Sequence, residues 1–283
     1  MKIFSKKKDL KDCLLRHRSG NKTVGFVPTM GALHSGHLSL IKEAKQKNDL
    51  VVVSLFVNPT QFDSAEDLKK YPKTIKNDIE LLQSISCDIL FTPSVEEIYE
   101  NNISSENFDF DGLEHQMEGK FREGHFNGVG TVVKALFEIV APHKAYFGQK
   151  DFQQLQIIKK MVKKHGLGVK VKGCPIFRQQ DGLAMSSRNV RLSKEQKVAA
   201  PFVYKVLQEV REQFKTQNVL KITQWVESQF INHPYLRLEY FTIAEEKSLK
   251  PIETKDPYKK YRAFIAVFAD EIRLIDNLQL KNF

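Results

Sequence analysis

Residues 28–37 of the chain read PTMGALHSGH. A short β-prone run at residues 24–27 precedes this stretch, and Leu38, Ile41 and Ala44 follow it at helical spacing. The pattern predicts a strand, a tight loop with two glycines, and a helix. The loop therefore ends at a helix N-terminus, where unpaired backbone N–H groups and a partial positive charge attract anions such as phosphates.

Two histidines, His34 and His37, lie three residues apart at the predicted helix start. At this spacing they share a helix face, and both can donate to phosphate oxygens. Because histidine titrates near neutrality, its charge can follow the negative charge that builds up during phosphoryl or nucleotidyl transfer. A zinc site would need three or four ligands, and the cysteines are scattered singly at Cys13, Cys87 and Cys174. A phosphate site is therefore favoured over zinc.

Strand-like and helical patterns alternate along the first part of the chain. The strand-like runs lie at 23–28, 50–57, 88–92, 144–147 and 168–172, and the helical patterns lie near 37–48, 72–86, 127–140 and 151–165. This alternation predicts an α/β fold, a Rossmann-like parallel sheet with helices on both faces and ligands at the carboxyl ends of its strands. The apolar run at 51–57 is typical of a central parallel strand, and Asn58 and Gln61 follow its carboxyl end.

The pattern changes beyond residue 177. A long amphipathic helix at 193–216 and a shorter one at 219–231 precede three strand-like runs, at 236–244, 263–268 and 271–275. Ala269-Asp270 separates the last two runs and predicts a tight turn. We therefore expect two domains, residues 1–176 with the Rossmann-like sheet and residues 177–283 as a smaller α+β domain.

Length and composition agree with a globular protein of the cytoplasm. A chain of 283 residues can bury two cores, and it contains no apolar run near the roughly 18–20 residues that span a bilayer. The first residues lack the pattern of a secretory signal, and three unpatterned cysteines suit a reducing compartment. We expect a cytoplasmic protein without a membrane partner.

The charge balance could indicate a nucleic-acid partner, since 44 basic and 34 acidic residues give a net charge of +10. However, the basic residues alternate with acidic ones along predicted helices, as in residues 209–215, and such runs are usually solvated helix faces. No nucleic-acid-binding motif accompanies them. We therefore expect no nucleic-acid partner and a positive field that steers small anions.

Within residues 28–37, the segment HSGH resembles the HxGH signature of the nucleotidyltransferase superfamily. The full ten-residue sequence is similar to the corresponding motif of the pantoate–β-alanine ligase family. Five further blocks follow in the family's order: LFVNPTQF (55–62), YPKT (71–74), REGHFNGV (122–129), FGQKDFQQL (147–155) and DGLAMSSRN (181–189). A fainter similarity lies at 273–277. The chain departs from the family at Gln149, where glutamate is common, and at Lys73, where arginine is common.

The resemblance implies an ATP-dependent condensation of pantoate with β-alanine to pantothenate. A carboxylate is a poor electrophile, so ATP first converts pantoate to pantoyl adenylate and pyrophosphate leaves; the amine of β-alanine then displaces AMP. Alignment and charge stabilisation are what the protein must supply. The resemblance also implies Mg²⁺ beside ATP, a homodimer, and a lid function for residues 177–283.

Site residues follow from the matching motifs. The resemblance assigns ATP binding to Met30, Gly31, Ala32, Leu33, His34, Ser35, Gly36, His37, Gly148, Gln149, Lys150, Asp151, Phe177, Met185, Ser186, Ser187 and Arg188. Four of these are expected to be catalytic. His34 and His37 bind the phosphates, with His37 as proton donor, Lys150 neutralises the leaving pyrophosphate, and Arg188 belongs to a loop that closes over the triphosphate.

The substrate-binding positions are Gln61, Gln154, Asn58 and Arg122. The two glutamines are expected to hydrogen-bond the hydroxyl and carboxyl groups of pantoate, because neutral amides both donate and accept. For Arg122 two alternatives stay open, a substrate carboxylate or a subunit contact. Gln153, the neighbour of Gln154, is interpreted as a solvated surface residue.

The resemblance gives one metal position, Asp78, where the family has an acidic residue linked to Mg²⁺. The preceding position, acidic in some relatives, is Asn77.

Three other functions compete with a ligase. A nucleotidyltransferase acting on a phosphate ester would keep the HxGH loop and lack the pair Gln61 and Gln154. A tRNA synthetase would need an anticodon-binding domain, for which 283 residues leave little room. A non-catalytic nucleotide-binding module would bind ATP without releasing pyrophosphate.

Overall fold

The computed structural model describes residues 1–62, 65–100 and 102–280. The chain divides into two units. Unit 1 consists of Met1–Glu114, Gly119–Gln149 and Gln154–Pro175, and unit 2 consists of His115–Glu118, Lys150–Gln153 and Ile176–Phe283. Two short internal segments thus belong with the C-terminal unit, which no feature of the sequence pattern indicates. The nucleotide-binding and lid functions expected of the two domains stay predictions.

Unit 1 is built on a six-stranded parallel sheet, which confirms the predicted Rossmann-like α/β architecture. The strands are β1 (Lys2–Phe4), β2 (Val24–Thr29), β3 (Leu50–Leu55), β4 (Ile89–Phe91), β5 (Lys144–Gly148) and β6 (Lys170–Cys174). Their order in the sheet is β1-β4-β3-β2-β5-β6. Strand β1 was not predicted, because it has only three residues.

The helices that begin before residue 176 are α1 (Lys7–Arg18), α2 (Ser35–Gln46), α3 (Ala65–Lys70), α4 (Ile75–Ser84), α5 (Val95–Tyr99), α6 (Met117–Phe121), α7 (His125–Val140) and α8 (Phe152–Lys164). Helices cover both faces of the sheet. On one face, Val27 of β2 shares a buried cluster with Ile41 of α2 and Leu82 of α4. On the other face, the ring of Phe26 contacts that of Phe137 of α7 at a centroid distance of 6.2 Å.

Strand β2 lies between β3 and β5, and the strand order reverses at this point. Open parallel sheets bind ligands in the crevice outside the carboxyl ends of the strands at such a switch point. The loops that follow β2, β3 and β5 begin after Thr29, Leu55 and Gly148. The topology therefore brings the HxGH loop to the expected ligand-binding edge of the sheet.

Unit 2 contains an antiparallel sheet of β7 (Arg237–Glu245), β8 (Tyr261–Ala269) and β9 (Ile272–Leu280), which confirms the predicted α+β pattern. Its helices after residue 176 are α9 (Lys194–Ala199), α10 (Phe202–Gln213) and α11 (Val219–Phe230). Val206 and Val210 of α10 share a buried cluster with Ile265 of β8. The hairpin turn is Asp270-Glu271, one residue later than predicted, and Asp270 has a positive φ of 50°.

The prediction of one continuous helix over 193–216 is wrong. The structure has two helices there, α9 ending at Ala199 and α10 beginning at Phe202, with Pro201 as the N-terminal cap of the second. Proline has no N–H for the helical hydrogen bond and its ring crowds the preceding turn, so it starts a new helix more readily than it continues an old one.

We find no membrane-spanning helix in the described part of the chain, since none of its helices is long and apolar enough.

Candidate active site

The HxGH loop in unit 1 fixes the position of its first histidine. His34 is the N-terminal cap of α2, and its ring Nδ1 accepts a hydrogen bond from the backbone N–H of Gly36 at 3.1 Å. Because Nδ1 accepts, the neutral ring carries its proton on Nε2. His34 can therefore present an Nε2–H donor at the helix N-terminus while its other nitrogen caps the helix.

The ring of His37 stacks on that of His34. Their centroids are 4.0 Å apart and the ring planes differ by 22°. The two imidazoles thus share one face, as their spacing predicts. This places two ring donors side by side at the carboxyl end of β2.

The backbone N–H groups at the start of the loop are used within the protein. Gly31 N–H donates to Thr29 Oγ1 at 3.2 Å, Ala32 N–H donates to Asp78 Oδ2 at 3.0 Å, and Leu33 N–H donates to Asp78 Oδ1 at 2.8 Å. These three N–H groups hold the loop in shape. Binding of ATP by residues 30–37 stays a prediction, and for these three it has to involve atoms other than the N–H.

The surroundings of Asp78 do not support the metal ligand that the family resemblance implies. Its side chain is 2% exposed, and besides the two loop N–H groups it accepts the hydroxyl of Thr74 at 3.2 Å from each carboxylate oxygen. No group of three or more His, Cys, Asp or Glu residues is placed to hold a metal ion within the described ranges. The carboxylate instead caps the loop.

Gln61 and Asn58 follow β3, the neighbour of β2 in the sheet. Asn58 is 1% exposed and begins the 3₁₀ turn Pro59–Gln61; its Nδ2 donates to Gln61 Oε1 at 3.1 Å and to the Gly128 carbonyl at 3.0 Å. Gln61 Nε2 in turn donates to Met30 Sδ at 3.1 Å. Asn58 therefore holds Gln61, which reaches the HxGH loop. Direct contact of either residue with a substrate stays a prediction.

Tyr99, which was not predicted as a site residue, belongs to this network. Its hydroxyl donates to Asn58 Oδ1 and lies 2.9 Å from Thr60 Oγ1. Burial raises the pKa of Tyr99, so the hydroxyl stays protonated and can donate. No sequence signal could have found this residue, because it lies 41 positions from Asn58 at the end of a short helix.

Arg122 and His125 support the backbone of Gln61. Arg122 Nη2 donates to the Gln61 carbonyl at 3.2 Å, and His125 Nδ1 lies 2.7 Å from the same oxygen. Since a carbonyl only accepts, Nδ1 of His125 carries the proton, and its Nε2 accepts from Arg122 Nη1 at 3.2 Å. His125 was not predicted as a site residue, although it stands in the REGHFNGV block. These contacts decide neither alternative for Arg122.

Gly148 ends β5, and Gln149 lies over the adjacent strand. A Cβ added to Gly173 of β6 would lie 3.4 Å from Gln149 Cγ, so the stem of the Gln149 side chain rests on that glycine. Gln154 is half-buried in the first turn of α8. The structure gives these residues positions in unit 1, and their ligand contacts stay predictions.

Lys150 and Asp151 belong to unit 2. The Lys150 side chain is 18% exposed, so it is not a freely solvated surface lysine, and its Nζ lies 3.8 Å from Asp151 Oδ1. The Lys150 carbonyl accepts from Asn277 Nδ2 at 2.8 Å. The next residue of β9 towards the N-terminus, Asp276, forms a bidentate ion pair with Arg178 at 2.6 and 2.9 Å. The backbone of Lys150 is thus hydrogen-bonded to a side chain of β9.

A small hairpin in unit 2 places the remaining predicted ATP-binding residues together. Met185 N–H donates to the Phe177 carbonyl at 3.0 Å, so the two ends of the hairpin lie side by side. The Phe177 side chain is 42% exposed. Ser186 follows directly, and its hydroxyl accepts from Arg188 N–H at 3.2 Å at the start of the 3₁₀ turn Ser187–Arg191.

The interpretation of Gln153 as a surface residue is wrong. It is 3% exposed, its Nε2 donates to the Gln116 carbonyl at 2.7 Å, and its Oε1 accepts from Glu118 N–H at 3.0 Å. Both of these contacts lie within unit 2, where Gln153 holds the segment at 116–118. The helical pattern of α8 gave no sign of this segment.

Comparison with known proteins covers nearly the whole chain. The family model for pantoate-beta-alanine ligase matches residues 2–279. The chain is 54% identical over 283 residues to the pantothenate synthetase of Christiangramia forsetii, with 100% of both chains covered. It is 52% identical over 282 residues to that of Flavobacterium psychrophilum, with 99% of this chain and 100% of the relative covered.

Solved structures agree with these matches. A crystal structure of pantothenate synthetase from Thermus thermophilus has a TM-score of 0.92 at 40% identity, over 99% of this chain and 100% of that one. The pantoate-beta-alanine ligase from Francisella tularensis, complexed with beta-gamma ATP and beta-alanine, has a TM-score of 0.80 at 36% identity, over 99% and 97%. On these matches, the chain belongs to the pantoate–β-alanine ligase family, whose members are pantothenate synthetases.

Proposed function

We propose that the protein joins pantoate to β-alanine with ATP and forms pantothenate. Family membership supports the reaction, and the Francisella tularensis relative, solved with beta-gamma ATP and beta-alanine, supports two of the ligands. One observation in unit 1 carries the proposal. The stacked His34 and His37 follow β2, and Gln61 follows the neighbouring strand and is hydrogen-bonded to Met30 of the histidine loop.

The reaction has two steps in this proposal. A carboxylate oxygen of pantoate attacks the α-phosphorus of ATP, the bond to the leaving pyrophosphate breaks, and pantoyl adenylate forms. The amine of β-alanine then attacks the acyl carbon, AMP leaves with the oxygen that came from pantoate, and the new amide nitrogen loses its extra proton. No covalent bond to the protein is needed, so alignment and charge stabilisation are the protein's contribution.

His34 and His37 bind the ATP phosphates in this scheme. The Gly36 N–H already occupies Nδ1 of His34, which supports Nε2–H as the donor to a phosphate oxygen. We assign His37 as the proton donor, because a protonated imidazole neutralises charge that develops on the transferring phosphate. The stacked arrangement supports action of the two rings on the same group of oxygens.

Lys150 and Arg188 complete the proposed catalytic set. A compact ammonium at Lys150 suits the charge of departing pyrophosphate, and a guanidinium at Arg188 can bind phosphate oxygens in a bidentate manner. The proposed ATP site comprises residues 30–37, residues 148–151, Phe177 and residues 185–188. Gln61, Gln154, Asn58 and Arg122 are the proposed substrate-binding residues, with the two glutamines as the ligands of pantoate. Asn58 and Arg122 also hydrogen-bond Gln61.

Mg²⁺ beside ATP stays a prediction of the family resemblance. The chemistry of the Asp78 carboxylate, with both oxygens turned to N–H and hydroxyl donors, does not support it as a ligand. We also propose a cytoplasmic homodimer in which residues 177–283 serve as the lid, with no nucleic-acid or membrane partner. Light scattering after size-exclusion chromatography tests the dimer.

The decisive experiment traces the carboxylate oxygen atoms of pantoate into the products. Pantoate labelled with ¹⁸O in its carboxylate is incubated with ATP, Mg²⁺ and β-alanine, and the products are analysed by mass spectrometry. We expect one ¹⁸O in AMP, with pyrophosphate unlabelled. Formation of ADP with ¹⁸O in inorganic phosphate would mean an acyl phosphate in place of the adenylate and would overturn the proposal.

Two further arms test the ligase itself. Omission of β-alanine should stop steady turnover of ATP, and a His37→Ala variant should lose pyrophosphate release by about 100-fold or more. The proposal would be wrong if pyrophosphate release were equal with and without β-alanine and were also unchanged in His37→Ala. The protein would then be a nucleotidyltransferase that acts on another acceptor.

A further inference from the structure

The start of the HxGH loop has an unfavourable backbone shape. Gly31 has a φ of +84° and Ala32 a φ of +49°, so two successive residues lie in the left-handed region. Glycine adopts this region freely, whereas alanine does so only where the surrounding structure imposes it. Contacts outside the loop must therefore hold Ala32 in this conformation.

Asp78 supplies those contacts from α4. Its two carboxylate oxygens each accept one backbone N–H of the loop, from Ala32 at 3.0 Å and from Leu33 at 2.8 Å. A Cβ at Gly31 would lie 3.2 Å from Asp78 Oδ2, so the carboxylate sits tightly against the glycine. A side chain at residue 31 would therefore have to displace the carboxylate by a few tenths of an ångström.

The position of the carboxylate is itself fixed. Asp78 lies one turn into α4, its N–H donates to the Thr74 carbonyl at 2.9 Å, and the Thr74 hydroxyl donates to its carboxylate. Thr74 is the last residue of the YPKT block. This block therefore has a physical function, since it orients the side chain that shapes the histidine loop.

We propose that Asp78 is a positioning residue for the reaction. Its carboxylate holds the Gly31–Leu33 turn, and the turn sets the direction in which the chain enters α2 and so the place of His34 and His37. The proposal rests on the proposed function of the two histidines. It assigns Asp78 no contact with substrate and no metal.

Three possible roles of the Asp78 carboxylate predict different effects when its charge is removed. A carboxylate near a phosphate-binding loop opposes ATP electrostatically, so removing its charge would strengthen ATP binding if field effects alone mattered. A metal ligand would behave differently again, because its loss would raise the requirement for Mg²⁺. A positioning role predicts a lower turnover number, an unchanged Mg²⁺ requirement, and moved imidazoles even without ATP.

The test uses three variants of the full chain. Asp78→Asn keeps the size of the side chain, but its amide can offer only one oxygen to the two N–H groups. Thr74→Val removes the hydroxyl that orients the carboxylate, and it keeps the proposal testable if Asp78→Asn does not fold. Glu80→Gln is the matched control, because it neutralises an exposed carboxylate on the same helix.

Three quantities are measured for each variant: kcat and KM for ATP, the Mg²⁺ concentration for half-maximal rate, and the imidazole ¹⁵N resonances of the ligand-free protein. For Asp78→Asn we expect a fall in kcat of about 10- to 100-fold, the size of effect that a misplaced catalytic group produces. The half-maximal Mg²⁺ concentration should stay within about twofold, and the His34 and His37 resonances should move. Thr74→Val should show smaller changes in the same direction, and Glu80→Gln should match the wild type.

Two outcomes would overturn the proposal. Recovery of the Asp78→Asn rate at high Mg²⁺, with a requirement raised about tenfold or more, would make Asp78 a metal ligand. Imidazole resonances as in the wild type for both Asp78→Asn and Thr74→Val would show that the carboxylate does not position the loop. The resonance arm needs no turnover, so it stays decisive even if the proposed ligase reaction is not observed.

Discussion

The imidazole rings of His34 and His37 stack at a centroid distance of 4.0 Å, with 22° between the ring planes. The ring of His34 also accepts a hydrogen bond at Nδ1 from the Gly36 N–H. The ring that takes part in the stack is thus also the ring that caps α2. In the proposed function His34 also binds phosphate, and variants can separate that function from helix capping.

His34→Asn should separate capping from phosphate binding. Asparagine is among the preferred N-caps, so this variant should keep the stability of α2, whereas His34→Ala should lose about 0.5–1 kcal/mol. Both variants lack the ring donor, so both should reduce kcat/KM for ATP by about 100-fold. Thermal unfolding and steady-state kinetics measure the two effects. Wild-type kinetics in His34→Asn would confine His34 to capping.

Gly128 of α7 packs against the turn that carries Gln61. A Cβ at this position would lie 2.3 Å from the Thr60 carbonyl oxygen and 2.8 Å from the Gln61 nitrogen. Gly128→Ala should therefore destabilise the protein by about 1–3 kcal/mol, although alanine is normally the better helix former. Displacement of Gln61 should also raise KM for pantoate by about tenfold, or 1.4 kcal/mol.

The matched control is Gly168→Ala, because a Cβ there would meet no described atom within 4 Å. Its stability should change by no more than about 0.5 kcal/mol, and its kinetics should equal those of the wild type. Equal behaviour of the two glycine variants in denaturant unfolding and in pantoate titrations would show that α7 does not set the position of Gln61.

The sequence predicts the sheet and the HxGH loop because both depend on local patterns. Strand β3 is buried along its whole length and is apolar except for Ser54, and the loop lies between a strand and a helix whose periodicities differ. The ends of helices are harder to predict from sequence than their presence. Pro201, for example, divides into two helices a segment whose amphipathic pattern predicts one.

The supporting contacts of the site could not be predicted, because they join residues far apart in the chain. Ala32 and Asp78 are 46 positions apart, and Gln61 and His125 are 64 apart. A motif identifies residue types at a site, but it does not tell whether a carboxylate faces a ligand or a backbone N–H. Asp78 is the clearest case, since its motif suggests a metal and its hydrogen bonds show a loop cap.

Gln149 stands where the family commonly has glutamate, and Gln149→Glu should have a small effect. The stem of the side chain rests on Gly173 of the adjacent strand. The added charge should therefore change KM for ATP by less than tenfold, about 1.4 kcal/mol. Gln154→Glu introduces the same charge at a proposed pantoate ligand and should raise KM for pantoate by more than tenfold. A larger effect at residue 149 than at residue 154 in the same assay would contradict this placement.

Asn277 of β9 should control the turnover number through Lys150. Its Nδ2 donates to the Lys150 carbonyl at 2.8 Å, and its Oδ1 accepts from Arg262 Nη1 at 2.6 Å. Asn277→Asp keeps an acceptor for Arg262 and replaces the donor to Lys150 by a second oxygen, which repels the carbonyl. We expect kcat to fall by about tenfold as Lys150 is displaced, with KM for pantoate changed less than about threefold.

The control for this variant is Gln279→Ala, which removes an exposed side chain two residues further along β9. Pyrophosphate release under pantoate saturation measures kcat, and circular dichroism confirms that the fold is kept. If Asn277→Asp instead raised KM for pantoate and left kcat unchanged, the Lys150 backbone would serve substrate binding.

Because the Asn277 contact is made by the backbone of Lys150, a Lys150→Arg variant should keep it. That variant should lose activity only through the geometry of its own side chain, since a guanidinium does not replace a compact ammonium.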